Sequence, residues 1–175
     1  VGSEMCIRDR YNVYASDLLA MAKKCFHGII KGFKNSQQAA QASYWLGWIY
    51  YEKGDADKAI EHFKKVMSDY TGSDLVKDSF IAIGDVLSQN GRYREAVDIL
   101  NNAARDFKGR GFEDMIYKKI AVIYKQQGYY GEALGYLNKI NISDNNDFGA
   151  DVQFLIAECF QEPVSYTHLT LPTKR

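Results

Sequence analysis

The 175-residue chain is poor in residues that interrupt or cross-link a polypeptide. Pro occurs only at 163 and 172, so helices can run through most of the length. Three Cys are too few for a disulfide scaffold. No apolar run reaches the roughly 20 residues that a membrane span needs. Net charge is absent too: 22 Lys and Arg balance 22 Asp and Glu. With 46% hydrophobic residues that balance excludes a disordered chain, and it gives no sign of a nucleic-acid partner. Charged residues at 25% and aromatics at 14% complete a globular composition, with length for one domain or at most two.

The two ends read differently from the rest. Residues 1–10 are VGSEMCIRDR and residues 164–173 are VSYTHLTLPT. Met5 to Asp9 can be encoded ATG TGT ATA AGA GAC, whose reverse complement encodes Val164 to His168. Unrelated termini have no reason to be complementary strands of one DNA, and that DNA resembles the transposase end of a sequencing-library adapter. Residues 1–10 and 163–175 are therefore expected to be adapter-derived, and they are set aside from fold reasoning. The remainder, 11–162, is then expected to be an internal piece of a longer protein. It carries 18 basic and 20 acidic residues, a mildly acidic balance.

Self-similarity organises this stretch. Gly54-Asp-Ala-Asp-Lys-Ala59, Gly91-Arg-Tyr-Arg-Glu-Ala96 and Gly128-Tyr-Tyr-Gly-Glu-Ala133 recur 37 residues apart. At the same offset Leu46 maps to Ile83 and Ile120, Gly47 to Gly84 and Ala121, and Phe63 to Leu100 and Leu137. Backwards, Ala22, Phe26 and Phe33 match Ala59, Phe63 and Tyr70. Forwards, Ile156-Ala157 opens another copy one residue early. Each copy reads as two helices, because apolar residues recur at helical spacing on both sides of the Gly. Gly54, Gly91 and Gly128 stand where a left-handed helix cap is needed. Short connections make the helices antiparallel neighbours, and the small residues at 47, 84, 121, 59, 96 and 133 fit a close crossing. Strand signals are absent.

This pattern resembles the tetratricopeptide repeat (TPR). The signature positions are filled by Leu46, Gly47, Tyr50, Gly54, Ala59 and Phe63 in one copy. Ile83, Gly84, Leu87, Gly91, Tyr93, Ala96 and Leu100 fill them in the next. Ile120, Ala121, Tyr124, Gly128, Tyr130, Ala133 and Leu137 fill them in the third. The period exceeds the family's usual length of about 34 residues. The extra residues are expected to lengthen the second helix of the pair or the loop around Thr71-Gly72 and Gly109-Arg110-Gly111. The resemblance implies an all-α fold, an α-solenoid of antiparallel helix pairs in a right-handed superhelix. Expected divisions are a partial repeat 11–37, repeats 38–74, 75–111 and 112–147, and a partial repeat 148–162. Helices are expected near 14–33, 38–53, 56–70, 75–89, 93–107, 112–127, 130–140 and 148–161.

The family's groove positions, carried over, are Gln41, Tyr44, Trp48 and Tyr51 in the first full repeat. Asp78, Ile81, Asp85 and Ser88 follow in the second, Met115, Lys118, Val122 and Lys125 in the third, and Asp151, Phe154 and Glu158 in the last. Tyr44, Trp48 and Tyr51 lie at helical spacing and can form one aromatic face, with core packing as the competing role for Trp48. Core packing is the stronger expectation for Trp45. The family's clamp for a C-terminal carboxylate needs Lys and Asn at 44, 48, 82, 115 and 119, and only Lys119 fits. Lys118, Lys119 and Lys125 could attract an acidic segment, but an ordinary solvated face is favoured.

Residues suited to catalysis are sparse. His27 and His62 stand alone, and Cys25 and Cys159 read as small core residues. Asp144-Asn145-Asn146-Asp147 lacks the later ligands of a calcium loop (Phe148 and Leu155 stand there). Asn141-Ile142-Ser143 is a glycosylation triplet of the kind frequent by chance, and Gly109-Arg110-Gly111 follows no strand. The expectation is a non-enzymatic scaffold that binds a protein or peptide in its groove, without cofactor, metal, nucleic acid or transmembrane segment. Self-association through exposed ends is also expected. Two other readings stay open: an envelope lipoprotein of bacterial type, which longer repeats resemble, and the docking arm of a larger enzyme or sensor. The setting is cytoplasmic or periplasmic, with no targeting segment in view.

Overall fold

Helix boundaries follow from who satisfies the end groups of each backbone. Ser36 Oγ accepts from the Ala39 N–H at 3.1 Å and starts α2 (Gln37–Glu52). Asp55 Oδ1 does the same for the Lys58 N–H at 3.1 Å and starts α3 (Ala56–Asp69). Between them the chain turns through Gly54 at φ 78°. The Gly54 N–H donates to the Tyr51 carbonyl at 2.8 Å and the Asp55 N–H to the Tyr50 carbonyl at 2.9 Å. This paired closure needs a left-handed residue, which Gly supplies without a Cβ clash. Gly128, at φ 77°, closes its helix in the same way through Lys125 and Tyr124.

The computed structural model describes residues 2–109, 111–142 and 147–167, with side chains for 17–109, 111–142 and 147–161. Among the described residues there are eight helices and no strand. The fold class is an all-α helical-repeat solenoid. The chain divides into two compact units, residues 1–90 and 91–175. The first holds α1 (Gly2–Gly32), α2, α3 and α4 (Leu75–Gln89). The second holds α5 (Tyr93–Asp106), α6 (Glu113–Gln126), α7 (Tyr130–Leu137) and α8 (Asp147–Thr167).

In the first unit α2 packs on α1 and α3, and α4 lies against both α3 and α2. The α2–α3 crossing is close. A Cβ placed on Gly47 would lie 2.6 Å from the Phe63 ring, so any side chain here would force that ring to shift. Phe63, Leu46, Ala59 and Val66 are fully buried around it. The buried Ser43 hydroxyl in this layer is satisfied: it donates to the His62 carbonyl at 3.1 Å. In the second unit α6 packs on α5 and α7, and α8 on α7 and α6. Ala121, Ala133, Leu137, Ile140, Val152 and Cys159 form its core, with Tyr117, Tyr124 and Tyr136 packed against it.

Three helix limits depart from the sequence expectation. α1 begins at Gly2 rather than near 14, because no Pro interrupts propagation through 2–13. α8 runs past Pro163 to Thr167 rather than stopping at 161, although that position supplies no N–H. α7 stops at Leu137 rather than 140. There Lys139 and Ile140 donate to carbonyls three residues back, a tighter turn that drives Ile140 into the core. In the α5–α6 connection Gly109 and Gly111 have φ 76° and 70°. Arg110 lies outside the described residues.

Candidate functional site

α2 carries Gln41, Tyr44, Trp48 and Tyr51 at spacings of three and four residues, which places them on one face. The opposite face holds Ala39, Ala42, Leu46 and Ile49 in the core, so the aromatic row rides on a fixed helix. Tyr44, Trp48 and Tyr51 are half-buried and Gln41 is exposed. Trp48 meets Tyr44, Tyr51 and Phe63 edge to face, at centroid distances of 6.3, 5.8 and 5.4 Å. Tyr44 also reaches Phe63, at 5.4 Å. These are favoured ring geometries, and they tie the aromatic face to the fully buried Phe63. Trp48 is thus half-buried and packed against the core ring of Phe63.

α4 brings the second set of residues alongside. The Tyr51 hydroxyl donates to Gln89 Oε1. Asp78 is exposed, while Ile81, Asp85 and Ser88 are half-buried. Ser88 Oγ donates to the Asp85 carbonyl at 3.0 Å. The Tyr44 phenol is pushed above its ordinary pKa, first by burial, while a hydrogen-bonding contact from Trp48 acts the other way. The charges of Asp78 and Asp85 add to the rise of the Tyr44 phenol. At the far end an open hollow of about 390 Å³ is lined by Tyr51, Glu52, Gly54, Ala56, Gln89 and Asn90.

The second unit places its candidates differently. Lys118 Nζ lies 2.6 Å from Asp151 Oδ2, and Lys125 Nζ 2.7 Å from Glu158 Oε2. Lys118 also sits over the Phe148 ring at 5.0 Å. The candidate cations of α6 and the candidate anions of α8 are therefore partners of one another, with Val122 half-buried between the two lysines along α6. Phe154 and Met115 are exposed, and Lys119 is half-buried.

Three sequence readings need correction. Trp45 is 53% exposed rather than packed in the core. It follows the buried arc by about 100° from Leu46, on the side shared with exposed Gln41 and Glu52. Cys25 is exposed, on the α1 face that also carries exposed Leu18 and Met21; Cys159 is buried as expected, and burial raises its thiol pKa. Third, His27 and His62 do not stand alone. Their rings meet edge to face at 6.1 Å, and Tyr50 stacks on His62 at 5.2 Å with planes 12° apart. Lys23 Nζ sits 4.0 Å over the Tyr50 ring. His62 is 9% exposed, and its Nδ1 has no hydrogen-bond partner. Burial, then the charge of Lys65, pushes its pKa down to about 4. This cluster joins α1, α2 and α3, and no spacing along the chain announces it.

Among the described residues no group of three His, Cys, Asp or Glu could hold a metal, and no helix is long and apolar enough to cross a membrane. Residues 144–146 of the calcium-like segment and Ser143 of the glycosylation triplet lie outside the described residues. So do Val1 and 168–175 of the two ends.

Comparison with known proteins bears on the fold. Residues 41–73, most of α2 and all of α3, match the tetratricopeptide repeat family model. No match was found among curated proteins. Solved structures are similar at low identity. A Podosopora anserina protein with nearly identical TPR-like repeats, described as a kinesin light chain, is 14% identical with a TM-score of 0.67. The match covers 94% of this chain and 86% of that one. MamA is 17% identical with a TM-score of 0.54, over 87% of this chain and 95% of its own. A chain of the APC/C hetero-tetramer Cut9-Hcn1 is 18% identical with a TM-score of 0.57, over 81% of this chain and 26% of its own. Residues 41–73 are thus a tetratricopeptide repeat, in an all-α chain with the fold of tetratricopeptide repeat proteins.

Proposed function

We propose that the chain is a protein-interaction scaffold and that the α2–α4 face receives a peptide segment of the partner. The observation that carries this reading is the aromatic row Tyr44, Trp48 and Tyr51, half-buried on a helix whose other side is core. Rings with few rotatable bonds lose little entropy on binding and act as anchors. Their mutual edge-to-face contacts hold the anchors before a partner arrives, which lowers the ordering cost of association. Recognition of this kind needs no covalent step. The α6–α8 candidates contribute less, because their charges already satisfy one another.

The test is selection of immobilised random nonapeptides with the full chain, followed by affinity measurement on variants. Trp48→Ala is expected to weaken the selected peptides by about tenfold or more, the effect of losing one interface anchor. Trp48 also packs on Phe63, so Tyr51→Ala serves as a second variant, with far-UV circular dichroism as the fold control. Peptides that bind both folded variants as well as the parent chain overturn the reading.

A further inference from the structure

Among the described residues α1 packs against α2, and it reaches α3 through the edge-to-face contact of His27 with His62. That contact belongs to a ring cluster shared by the three helices. His62 of α3 stacks on Tyr50 of α2, and Lys23 Nζ of α1 lies over the same Tyr50 ring. The His27 Nδ1–H donates to the Lys23 carbonyl at 2.7 Å, which fixes the His27 ring. His62 is buried by these neighbours while its Nδ1 has no partner, so a proton added there meets no acceptor.

The charges around this ring are mainly positive. α1 brings Lys23 and His27, and α3 brings Lys65. Lys58 of α3 sits 5.6 Å from the centre of the Tyr50 ring. The acid that favours a proton on His62 is Glu61 of α3, and its Oε1 already accepts from Lys65 Nζ at 2.7 Å. Asp55 is likewise paired with Lys58. α2 faces the ring with Tyr50. The ionisable groups of α4, Lys77, Asp78 and Asp85, are not among the charges that act most on His62. An imidazolium formed in this place is desolvated, lacks an acceptor at Nδ1 and stands among cations.

The three helices are not held equally. The α2–α3 seam fully buries Leu46, Ala59, Phe63 and Val66. On α1 Ala22, Phe26, Ile29 and Ile30 are only half-buried, and Leu18 and Met21 are exposed. Withdrawal of α1 removes Lys23 and His27 and opens His62 to water in one movement, and it leaves the Phe63 layer intact. Local opening follows the least buried contact.

We propose that His62 is an acid-sensitive latch for α1: proton uptake on its ring releases α1 from α2 and α3 while the α2–α3 pair stays folded. The latch is independent of the peptide-binding reading of the α2–α4 face. With α1 docked the ring protonates at a pH of about 4, and in water at 6.5. The released form therefore gains on the docked form as pH falls through 6.5, and the gain is complete below 4. Between pH 7 and pH 4.5 the released fraction rises by about 50-fold.

Hydrogen exchange of the full chain tests this, read by mass spectrometry on α1 and α3 peptides at pH 7 and pH 4.5 and corrected for the intrinsic pH dependence of exchange. A released helix is marginal in water, so its amides lose protection. The α1 peptides are expected to lose about 50-fold in protection at pH 4.5, and the α3 peptides around Phe63 to keep theirs. His62→Phe keeps a ring on Tyr50 and takes no proton, so its α1 protection is expected to be the same at both pH values. Unchanged α1 protection in the parent chain overturns the latch. So does joint loss from α1 and α3, which is global unfolding, and so does an equal loss in folded His62→Phe. If circular dichroism shows that variant unfolded, NMR titration of the parent decides: the His62 ring and the α1 amides must shift with one midpoint, and separate midpoints overturn the latch.

Discussion

His62 shows what a single buried residue does to the chain. Its ring stacks on Tyr50 and meets His27 edge to face, its Nδ1 is unpaired, and its pKa is lowered from 6.5 to about 4. A base with a lowered folded pKa binds its proton more readily in the unfolded chain. Stability is therefore complete above about pH 6.5 and lost as pH falls toward 4. The loss integrates to an order of 3 kcal/mol. The carboxylates held low, Asp55 and Glu61 beside their lysines and Glu113 beside the Gly109 N–H, keep their contribution down to about pH 4 and lose it below. The window from pH 6.5 to 4.5 thus belongs to His62. Urea unfolding across that window should show a falling midpoint in the parent chain and a nearly flat one in His62→Phe, which keeps the stack on Tyr50. A slope unchanged in the variant would remove His62 as the cause. At this scale the sequence was only partly legible. The helical spacing of Tyr44, Trp48 and Tyr51 was visible, but the burial of His62 and the exposure of Trp45 depend on which helices pack around them.

Helix pairs depend on glycine in two separable ways. Gly47 lies under the Phe63 ring, where an added Cβ meets carbon at 2.6 Å. Gly47→Ala should destabilise by about 1–3 kcal/mol, the usual cost of overpacking. Gly54 has open space around its Cα but φ 78°, so Gly54→Ala should cost about 1–2 kcal/mol through the backbone alone. Gly28 sits inside α1 with ordinary helical φ and nothing within 4 Å, so Gly28→Ala should stabilise by about 0.5–1 kcal/mol. Denaturant midpoints of the three variants check the order: Gly28→Ala above the parent chain, the other two below it. Any other sign for Gly47→Ala would show that Phe63 yields freely. The period of 37 made both structural glycines legible, because a cap and a crossing must recur wherever the pair recurs. The early end of α7 was not legible, since it follows from Ile140 turning into the core.

Among the described residues, large exposed apolar side chains are spread along the molecule, Phe33, Trp45, Met115, Tyr129 and Ile142 included, with two each on α1 and α8. Leu18 and Met21 on α1 are 67% and 66% exposed, and Phe154 and Phe160 on α8 are 66% and 63% exposed. Contiguous apolar side chains left in water favour association. Light scattering should show a mass that rises with concentration, and Leu18→Glu with Phe154→Glu should lower it toward that of one chain. A single-chain mass for the parent at high concentration would contradict this expectation. It would leave the α2–α4 face untouched, because that face lies on neither of these helices.

The sequence alone determined the class of the molecule. A repeat of apolar, small and glycine positions dictates helix pairs and their antiparallel order, since each element must bury its stripe against its nearest neighbour. It also placed the aromatic row on one face of one helix. Tertiary structure decided what stands opposite that row. The spacing of residues along a helix sets direction, but the neighbour met in that direction comes from another helix. Hence Lys118 and Lys125 found Asp151 and Glu158, while Tyr51 met Gln89 and Tyr44 came under the charges of Asp78 and Asp85.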